Sequence, residues 1–97
     1  MTEVRVIARA VARKGNEDRV KALLQSMLAP TRAESGCVLY ELYESDEWGR
    51  FYFLELWESQ VALEQHAASP HYKRLELTIG DLLEEPFEVN ILREVHS

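Results

Sequence analysis

The sequence predicts an α+β sandwich, in which one four-stranded antiparallel sheet carries helices on a single face. Three observations lead to this fold class. Segments near both ends alternate apolar and polar residues, two apolar runs in the middle flank a short polar loop, and stripes with helical spacing lie between them. The predicted order is β-α-β-β-α(α)-β, in which the second helical region consists of two helices. Its 97 residues suit one domain, which we expect to span residues 1–97.

The first strand and helix are predicted within the first third of the chain. Residues 4–11, "VRVIARAV", alternate between two faces, as a strand does. Asn16 is a plausible N-cap for the helix that follows. That helix has one apolar stripe, formed by Val20, Leu23, Leu24, Met27 and Leu28. We expect Pro30 to kink or end it, although residues 31–34 offer a further turn.

The central block predicts an antiparallel hairpin whose two faces are both apolar. The runs Cys37–Tyr43 and Phe51–Trp57 flank a polar loop in which Gly49 supplies turn freedom. In the second run the residues on one side are Phe51, Phe53 and Trp57, and those on the other are Tyr52, Leu54 and Leu56. Helices cover only one face, so we predict a homodimer packed through its sheets, a dimeric α/β barrel. The alternative is that the loop covers the second face.

The last third of the sequence predicts two more helices and a final strand. Ser59 is expected to cap a helix over residues 60–68, and the Ser-Pro pair at 69–70 begins another. The apolar stripe of that second helix is Tyr72, Leu75, Ile79, Leu82 and Leu83. Pro86 stops it, and residues 87–95 alternate again as the last strand. Four strands with helices on one face make a ferredoxin-like arrangement.

Composition excludes several classes of partner. The net charge is −6, which argues against binding nucleic acid or an anionic membrane surface. No apolar run approaches the roughly 18 residues of a membrane span, and the first ten residues lack a signal-peptide layout. The single cysteine rules out an intrachain disulfide. We therefore expect a cytoplasmic protein with no nucleic-acid or membrane partner.

Neither a metal site nor a bound cofactor is predicted from motifs. His66 and His71 are five residues apart with Pro70 between them, which is not the i, i+4 spacing of two ligands on one helix. The chain has no HExxH motif and no glycine-rich phosphate-binding loop. We therefore expect the protein to bind neither a metal ion nor a cofactor.

Two polar residues are set in apolar surroundings. Glu55 lies inside an apolar run, so it is expected either to form a structural ion pair with Arg32 or Arg5 or to have a raised pKa. His66 shares a helix face with Leu63, three residues earlier. It is either a satisfied core histidine or a general base facing a pocket. The aromatic residues near them are core residues by default: Tyr40, Trp57 and Tyr72.

Three stretches carry a resemblance to a known family. "PTRAESGCVLYEL", "FYFLELWES" and "ALEQHAASPHYKRL" resemble the antibiotic biosynthesis monooxygenase domain, most closely its small stand-alone quinol-monooxygenase-like branch. The resemblance implies a dimeric ferredoxin-like fold with a pocket between helices and sheet. It also implies oxidation of a small aromatic substrate, a quinol or anthrone, by molecular oxygen without metal or flavin.

The same resemblance implies roles for individual residues. His66 corresponds to the base or proton relay. The implied pocket walls are Tyr40, Trp57 and Tyr72, and the implied polar substrate contacts are Arg32, Glu55 and His71. A haem-degrading branch of the family uses an Asn, a Trp and a His. Those positions here hold Ala8, His66 and Glu76, which disfavours haem degradation.

Two other functions fit the sequence. One is isomerisation of a small phosphorylated metabolite, in which His66 would also serve. The other is a non-catalytic dimeric binding module. A pocket rich in aromatic residues and poor in Arg or Lys would favour the oxygenase over the isomerase, and a filled pocket would favour the binding module.

Overall fold

A computed structural model describes residues 2–96 as an open sheet with helices packed on one face. The elements are β1 (Val4–Val11), α1 (Glu17–Gln25), α2 (Leu28–Arg32), β2 (Cys37–Glu44), β3 (Arg50–Trp57), α3 (Gln60–Ala67), α4 (Pro70–Ile79), a 3₁₀ turn (Gly80–Leu82) and β4 (Glu88–Leu92). The strand order is β2-β3-β1-β4, and every neighbouring pair is antiparallel. The predicted α+β, ferredoxin-like fold is confirmed.

The inner face of the sheet holds the core. Strand register aligns Tyr40, Glu55, Val6 and Ile91 in one row across all four strands, on the side that the helices cover. The largest side chains buried there are Trp57, Phe51, Phe53, Leu24 and Met27. Glu55 is the one carboxylate in this row, and it lies beside the aromatic residues on β2 and β3.

The outer face of the sheet is apolar and carries no helix. Ile7 pairs with Leu54 at its centre. Four large apolar side chains on this face are at least one third exposed: Leu39 at 38%, Tyr43 at 50%, Leu54 at 37% and Leu92 at 43%. Within residues 2–96 no element covers these side chains, and the hairpin loop does not fold over them.

None of the helices in the described part of the chain is both long enough and apolar enough to cross a bilayer.

The first helical region differs from the prediction in two ways. The apolar stripe does not form one helix, because the chain turns at residues 26–27 and restarts as α2. Pro30 is the third residue of α2 and does not end it, since a proline in a first helical turn sacrifices no helical hydrogen bond. Asn16 occupies the N-cap position of α1, but its side chain makes no capping bond.

The signals that begin α3 and α4 act as predicted. The Ser59 side chain accepts a hydrogen bond from Ala62 N at 3.1 Å, and the Ser69 hydroxyl accepts one from Tyr72 N at 3.3 Å. Gly49 adopts a φ of 91° in the hairpin loop, which glycine tolerates at no steric cost.

The last strand is shorter than predicted. β4 ends at Leu92, whose partner on β1 is Arg5. β1 begins only one residue earlier, at Val4, so residues after Arg93 have no partner on β1. Val95, which the alternation placed in the strand, is 93% exposed. Alternation alone does not extend a strand beyond its neighbour.

Replacing Gly36 by alanine is expected to lower the free energy of unfolding by about 1–3 kcal/mol, because it overpacks the contact with α3. An added Cβ at Gly36 would lie 2.3 Å from the Cβ of Ala62, and the Gly36 carbonyl also accepts a 2.8 Å hydrogen bond from Glu58 N. Gly80→Ala is the matched control, since no atom lies within 4 Å of its added Cβ. Urea unfolding monitored by circular dichroism measures both, and equal midpoints would contradict the expectation.

Candidate functional site

A cavity of about 270 Å³ lies between α3, α4 and the inner face of the sheet. Its apolar lining consists of Leu63, Ala67, Leu75, Phe87, Val89 and Ile91. Its polar lining consists of Tyr40, Glu55, Gln60, Glu64, His66 and Tyr72. The cavity therefore combines a mostly apolar wall with a histidine, two tyrosines and carboxylates at one end, as ligand sites commonly do.

His66 is the residue around which this end of the cavity is organised. It lies on α3, is 2% exposed, and its Nδ1 is 2.7 Å from Oε2 of Glu34. A carboxylate can only accept here, so Nδ1 carries the proton. The lone pair is then on Nε2, which leaves that nitrogen to accept a proton from a ligand in the cavity.

Glu34 also binds the second histidine. The same oxygen of Glu34 accepts a hydrogen bond from His71 Nε2 at 2.8 Å. Glu34 lies in the turn between α2 and β2, and His71 is the second residue of α4. The sequence spacing correctly separates His66 and His71 onto two helices, but the tight α3–α4 turn still brings both rings to one carboxylate.

These three residues are also a donor set of the kind that transition metals accept. Their ligand atoms lie within 4.8 Å of one another. Both nitrogens, however, form hydrogen bonds directly to Glu34 Oε2. A cation would have to replace both of these hydrogen bonds. That the protein binds no metal stays a prediction.

Aromatic rings surround His66. Its ring centroid is 4.5 Å from Trp57, 5.1 Å from Tyr72 and 5.5 Å from Tyr40. This burial disfavours the imidazolium ion and lowers the pKa of His66 below its ordinary value, although the nearby Glu34 carboxylate opposes the shift. The residue is therefore neutral at pH 7 and able to accept a proton.

Glu55 is buried without an ion pair among the described residues. It is 5% exposed, and its Oε1 accepts a 2.9 Å hydrogen bond from Trp57 Nε1. Burial raises the pKa of Glu55 to about 7, and the charge of Glu34 adds to this shift. The prediction that Glu55 forms an ion pair with Arg32 or Arg5 is wrong. Arg32 Nε donates to the Tyr40 carbonyl, and Arg5 lies on the outer face of the sheet.

The remaining residues predicted for the site fall in different places. Tyr40 and Tyr72 line the cavity, and burial raises the pKa of each hydroxyl, so both stay protonated donors. Trp57 is 0% exposed and lies beneath His66 without lining the cavity. Arg32 borders a separate depression outside β2, away from His66.

Glu34 is one of the polar residues that the sequence offers as candidates, but no role in the site was predicted for it. It lies in a turn, where no periodicity indicates which way a side chain points. Its sequence signals are its place in the stretch "PTRAESGCVLYEL", which carries the family resemblance, and its position two residues before the glycine that packs against α3.

A larger open depression of about 800 Å³ lies near the chain ends. It is bordered by charged side chains and by Leu56 and Leu92 of the outer face. None of the predicted site residues borders it. We therefore assign the candidate site to the smaller cavity, where the histidine and the buried carboxyl meet.

The fold and the cavity agree with a match to a family model. Residues 3–76 match the family described as antibiotic biosynthesis monooxygenase. The chain belongs to this family, and a monooxygenase-like function is the class that membership supports.

Individual relatives extend the match to nearly the whole chain. The protein named "Putative monooxygenase Rv0793" from Mycobacterium tuberculosis is 43% identical over 89 residues, which cover 92% of this chain and 88% of the relative. The solved structure of Rv0793 superimposes with a TM-score of 0.92 at 40% identity, covering 99% of this chain and 98% of that one. PA3566 from Pseudomonas aeruginosa has a TM-score of 0.91 at 29% identity, with coverage of 99% and 97%.

Proposed function

We propose that this protein is a cofactor-independent monooxygenase that oxidises a quinol- or anthrone-like aromatic with molecular oxygen. One observation carries the proposal. His66, held by Glu34 at 2.7 Å, lines a largely apolar cavity that has no Arg or Lys among its lining residues. A positioned base in a dry pocket is what an oxidisable aromatic requires in order to react with oxygen.

The chemistry balances without an external reductant. His66 Nε2 removes a proton from the substrate, and the anion transfers one electron to oxygen. The resulting radical and superoxide combine into a C–O–O bond, which takes up a proton. Cleavage of the O–O bond, with loss of the remaining hydrogen on that carbon, releases water and leaves a carbonyl. A quinol thus becomes a hydroxyquinone and an anthrone becomes a quinone, each with one oxygen atom inserted and one water formed.

Glu55 and the tyrosines stabilise the developing anion in this proposal. With a pKa of about 7, Glu55 retains a proton in a substantial fraction of molecules at neutral pH. Its protonated form donates a hydrogen bond to the substrate oxygen, as the hydroxyls of Tyr40 and Tyr72 also do. Burial makes each of these interactions stronger than it would be in water.

The cavity lining supports the oxygenase over the two alternatives. A phosphorylated substrate needs cationic donors for its phosphate, whereas none of the lining residues of this cavity is an Arg or a Lys. The Glu64 carboxylate at the cavity would also repel a phosphate. A plugged binding module is also disfavoured, because about 270 Å³ of the cavity is empty of protein atoms.

Oxygen uptake by purified, chelator-treated protein tests the proposal. We expect saturable uptake above the autoxidation blank with at least one member of a panel of hydroquinones, naphthols and anthrones. Catalase and superoxide dismutase in parallel reactions separate incorporation of oxygen from its release as peroxide or superoxide. Absence of uptake across the panel would reject the oxygenase.

We also propose that the protein is a homodimer joined through the outer face of its sheet. That face is apolar at its centre, where Leu54 lies beside Ile7. A second copy placed against it by a twofold axis would cover the exposed apolar side chains with their own counterparts.

Leu54→Glu is expected to convert this dimer to a monomer, because it places a carboxylate at the centre of the buried patch. In light scattering the wild type should have about twice the 11.2 kDa chain mass. Leu77→Glu is the matched control, since Leu77 is 86% exposed on α4. A wild-type mass of one chain would overturn the dimer, and so would a dimeric Leu54→Glu variant.

A further inference from the structure

A second cavity of about 300 Å³ lies beside the first, along the other end of α4. The side chains Tyr72, Leu75 and Phe87 border both cavities, so the two adjoin at these residues. Tyr72 and Phe87 are only partly buried, and rotation of their side chains would open one cavity into the other.

The two cavities adjoin because a gap separates α4 from β4. α4 packs mainly against α1 and α3. The inner side of β4 carries Val89 and Ile91, and Phe87 directly precedes the strand. No helix in the described chain covers these side chains. Val89 remains 44% exposed and Ile91 53% exposed. An apolar cleft therefore runs along β4, from the histidine end to the 3₁₀ turn after α4.

The two ends of this cleft differ in chemistry. The first cavity contains His66, Glu55 and the tyrosine hydroxyls. The second is bordered by Leu75, Ile79, Leu83 and Pro86, with Glu76 as its only charged residue. Glu76 is half exposed and lies 3.8 Å from Lys73 at the surface. A ligand that fills the cleft must be polar at one end and aliphatic at the other.

The volumes support one elongated ligand. Ligand sites typically occupy about 300–1,000 Å³. The first cavity falls below that range and the second reaches only its lower limit, but both together lie well within it.

We propose that the second cavity is a subsite for an aliphatic chain, so that the substrate is an alkyl- or prenyl-substituted aromatic alcohol or diol. The ring hydroxyl lies at His66 and the chain extends past Tyr72 and Phe87 towards Gly80. This inference rests on the proposed function for the placement of the ring, and on the second cavity alone for the chain.

Binding of 4-n-alkylphenols measures the subsite without requiring turnover. Phenol and its ethyl, butyl, hexyl and octyl homologues are titrated into the protein by calorimetry. Each buried methylene is expected to tighten the Kd about three- to fourfold until the second cavity is filled, after which the Kd becomes constant.

Gly80→Leu tests where the chain goes. Gly80 borders the second cavity, has an ordinary helical φ of −53°, and has no atom within 4 Å of an added Cβ. The variant is expected to bind phenol as the wild type does and to lose the gain with chain length. Asp81→Leu is the matched control, because Asp81 is exposed and does not border the cavity. It should retain the gain.

Binding and oxygen uptake together test the aliphatic subsite separately from the oxygenase activity. Equal chain-length gains in wild type and Gly80→Leu would overturn the subsite, and so would an absence of alkylphenol binding. A Kd that is the same for phenol and all its homologues would also overturn the subsite. The cleft would then be closed to ligands, for example by a partner subunit. If the alkylphenols bind as expected but alkylhydroquinones support no oxygen uptake, the proposed oxygenase activity is rejected and the subsite for an aliphatic chain is retained.

Discussion

Replacing His66 by alanine or glutamine is expected to lower turnover about 100-fold or more, because neither side chain accepts a proton at neutral pH. Oxygen uptake is measured on the best substrate from the hydroquinone, naphthol and anthrone panel. Glutamine is the more informative change, since its amide can still donate to Glu34 and fill part of the space between Trp57 and Tyr72. The proposed dimer should be unaffected in both variants.

His96→Ala controls for loss of a histidine elsewhere. Its side chain is 83% exposed near the end of the chain and should leave turnover unchanged. Unchanged turnover in folded His66→Gln would remove His66 from the mechanism. The cavity would then be a binding site whose chemistry, if any, depends on Glu55 or the tyrosines.

Glu34→Gln tests whether the carboxylate acts through His66. We expect turnover to fall roughly tenfold, because the imidazolium formed during reaction loses its neighbouring negative charge. The same loss lowers the pKa of His66 further, so the acidic limb of the pH–rate profile should move to lower pH. A purely structural role for Glu34 would lower the rate without moving that limb.

The strands and helix starts could be predicted because they follow from local chemistry. Alternation along residues 4–11, the two apolar runs of the hairpin, and the Ser59 and Ser69 caps all involve residues close in sequence. The dual apolar faces of β3 also indicated an uncovered sheet face, which the structure contains.

The contacts within the site that were not predicted from the sequence join residues far apart in the chain. Glu34 meets His66 across 32 positions and His71 across 37, and neither contact leaves a periodic signal. The predicted partner of Glu55 was wrong for a different reason. A buried carboxylate suggests an arginine, but Trp57, two residues along the same strand face, provides the hydrogen bond.

Replacing Glu55 by glutamine is expected to stabilise the protein at alkaline pH. The pKa of Glu55 is about 7 in the folded chain, against 4.5 for an ordinary glutamate. As the pH rises above 4.5, the unfolded chain loses this proton before the folded chain does, so the free energy of unfolding falls. The loss is complete above pH 7 and is on the order of 3 kcal/mol. Glutamine does not titrate, so the Glu55→Gln variant does not lose this part of the free energy of unfolding.

Urea unfolding at pH 5 and pH 8 measures this difference directly. Glu55→Gln should exceed the wild type by on the order of 3 kcal/mol at pH 8 and by less than about 1 kcal/mol at pH 5. The glutamine Oε1 can still accept from Trp57 Nε1, so the packing is preserved. Glu58→Gln, at an exposed position, controls for loss of one negative charge. A Glu55→Gln variant that is less stable than the wild type at pH 8 would mean that the fold stabilises the ionised form of Glu55, so that the pKa of Glu55 is not raised. Its proposed role as a proton-bearing donor to the substrate oxygen would then be wrong.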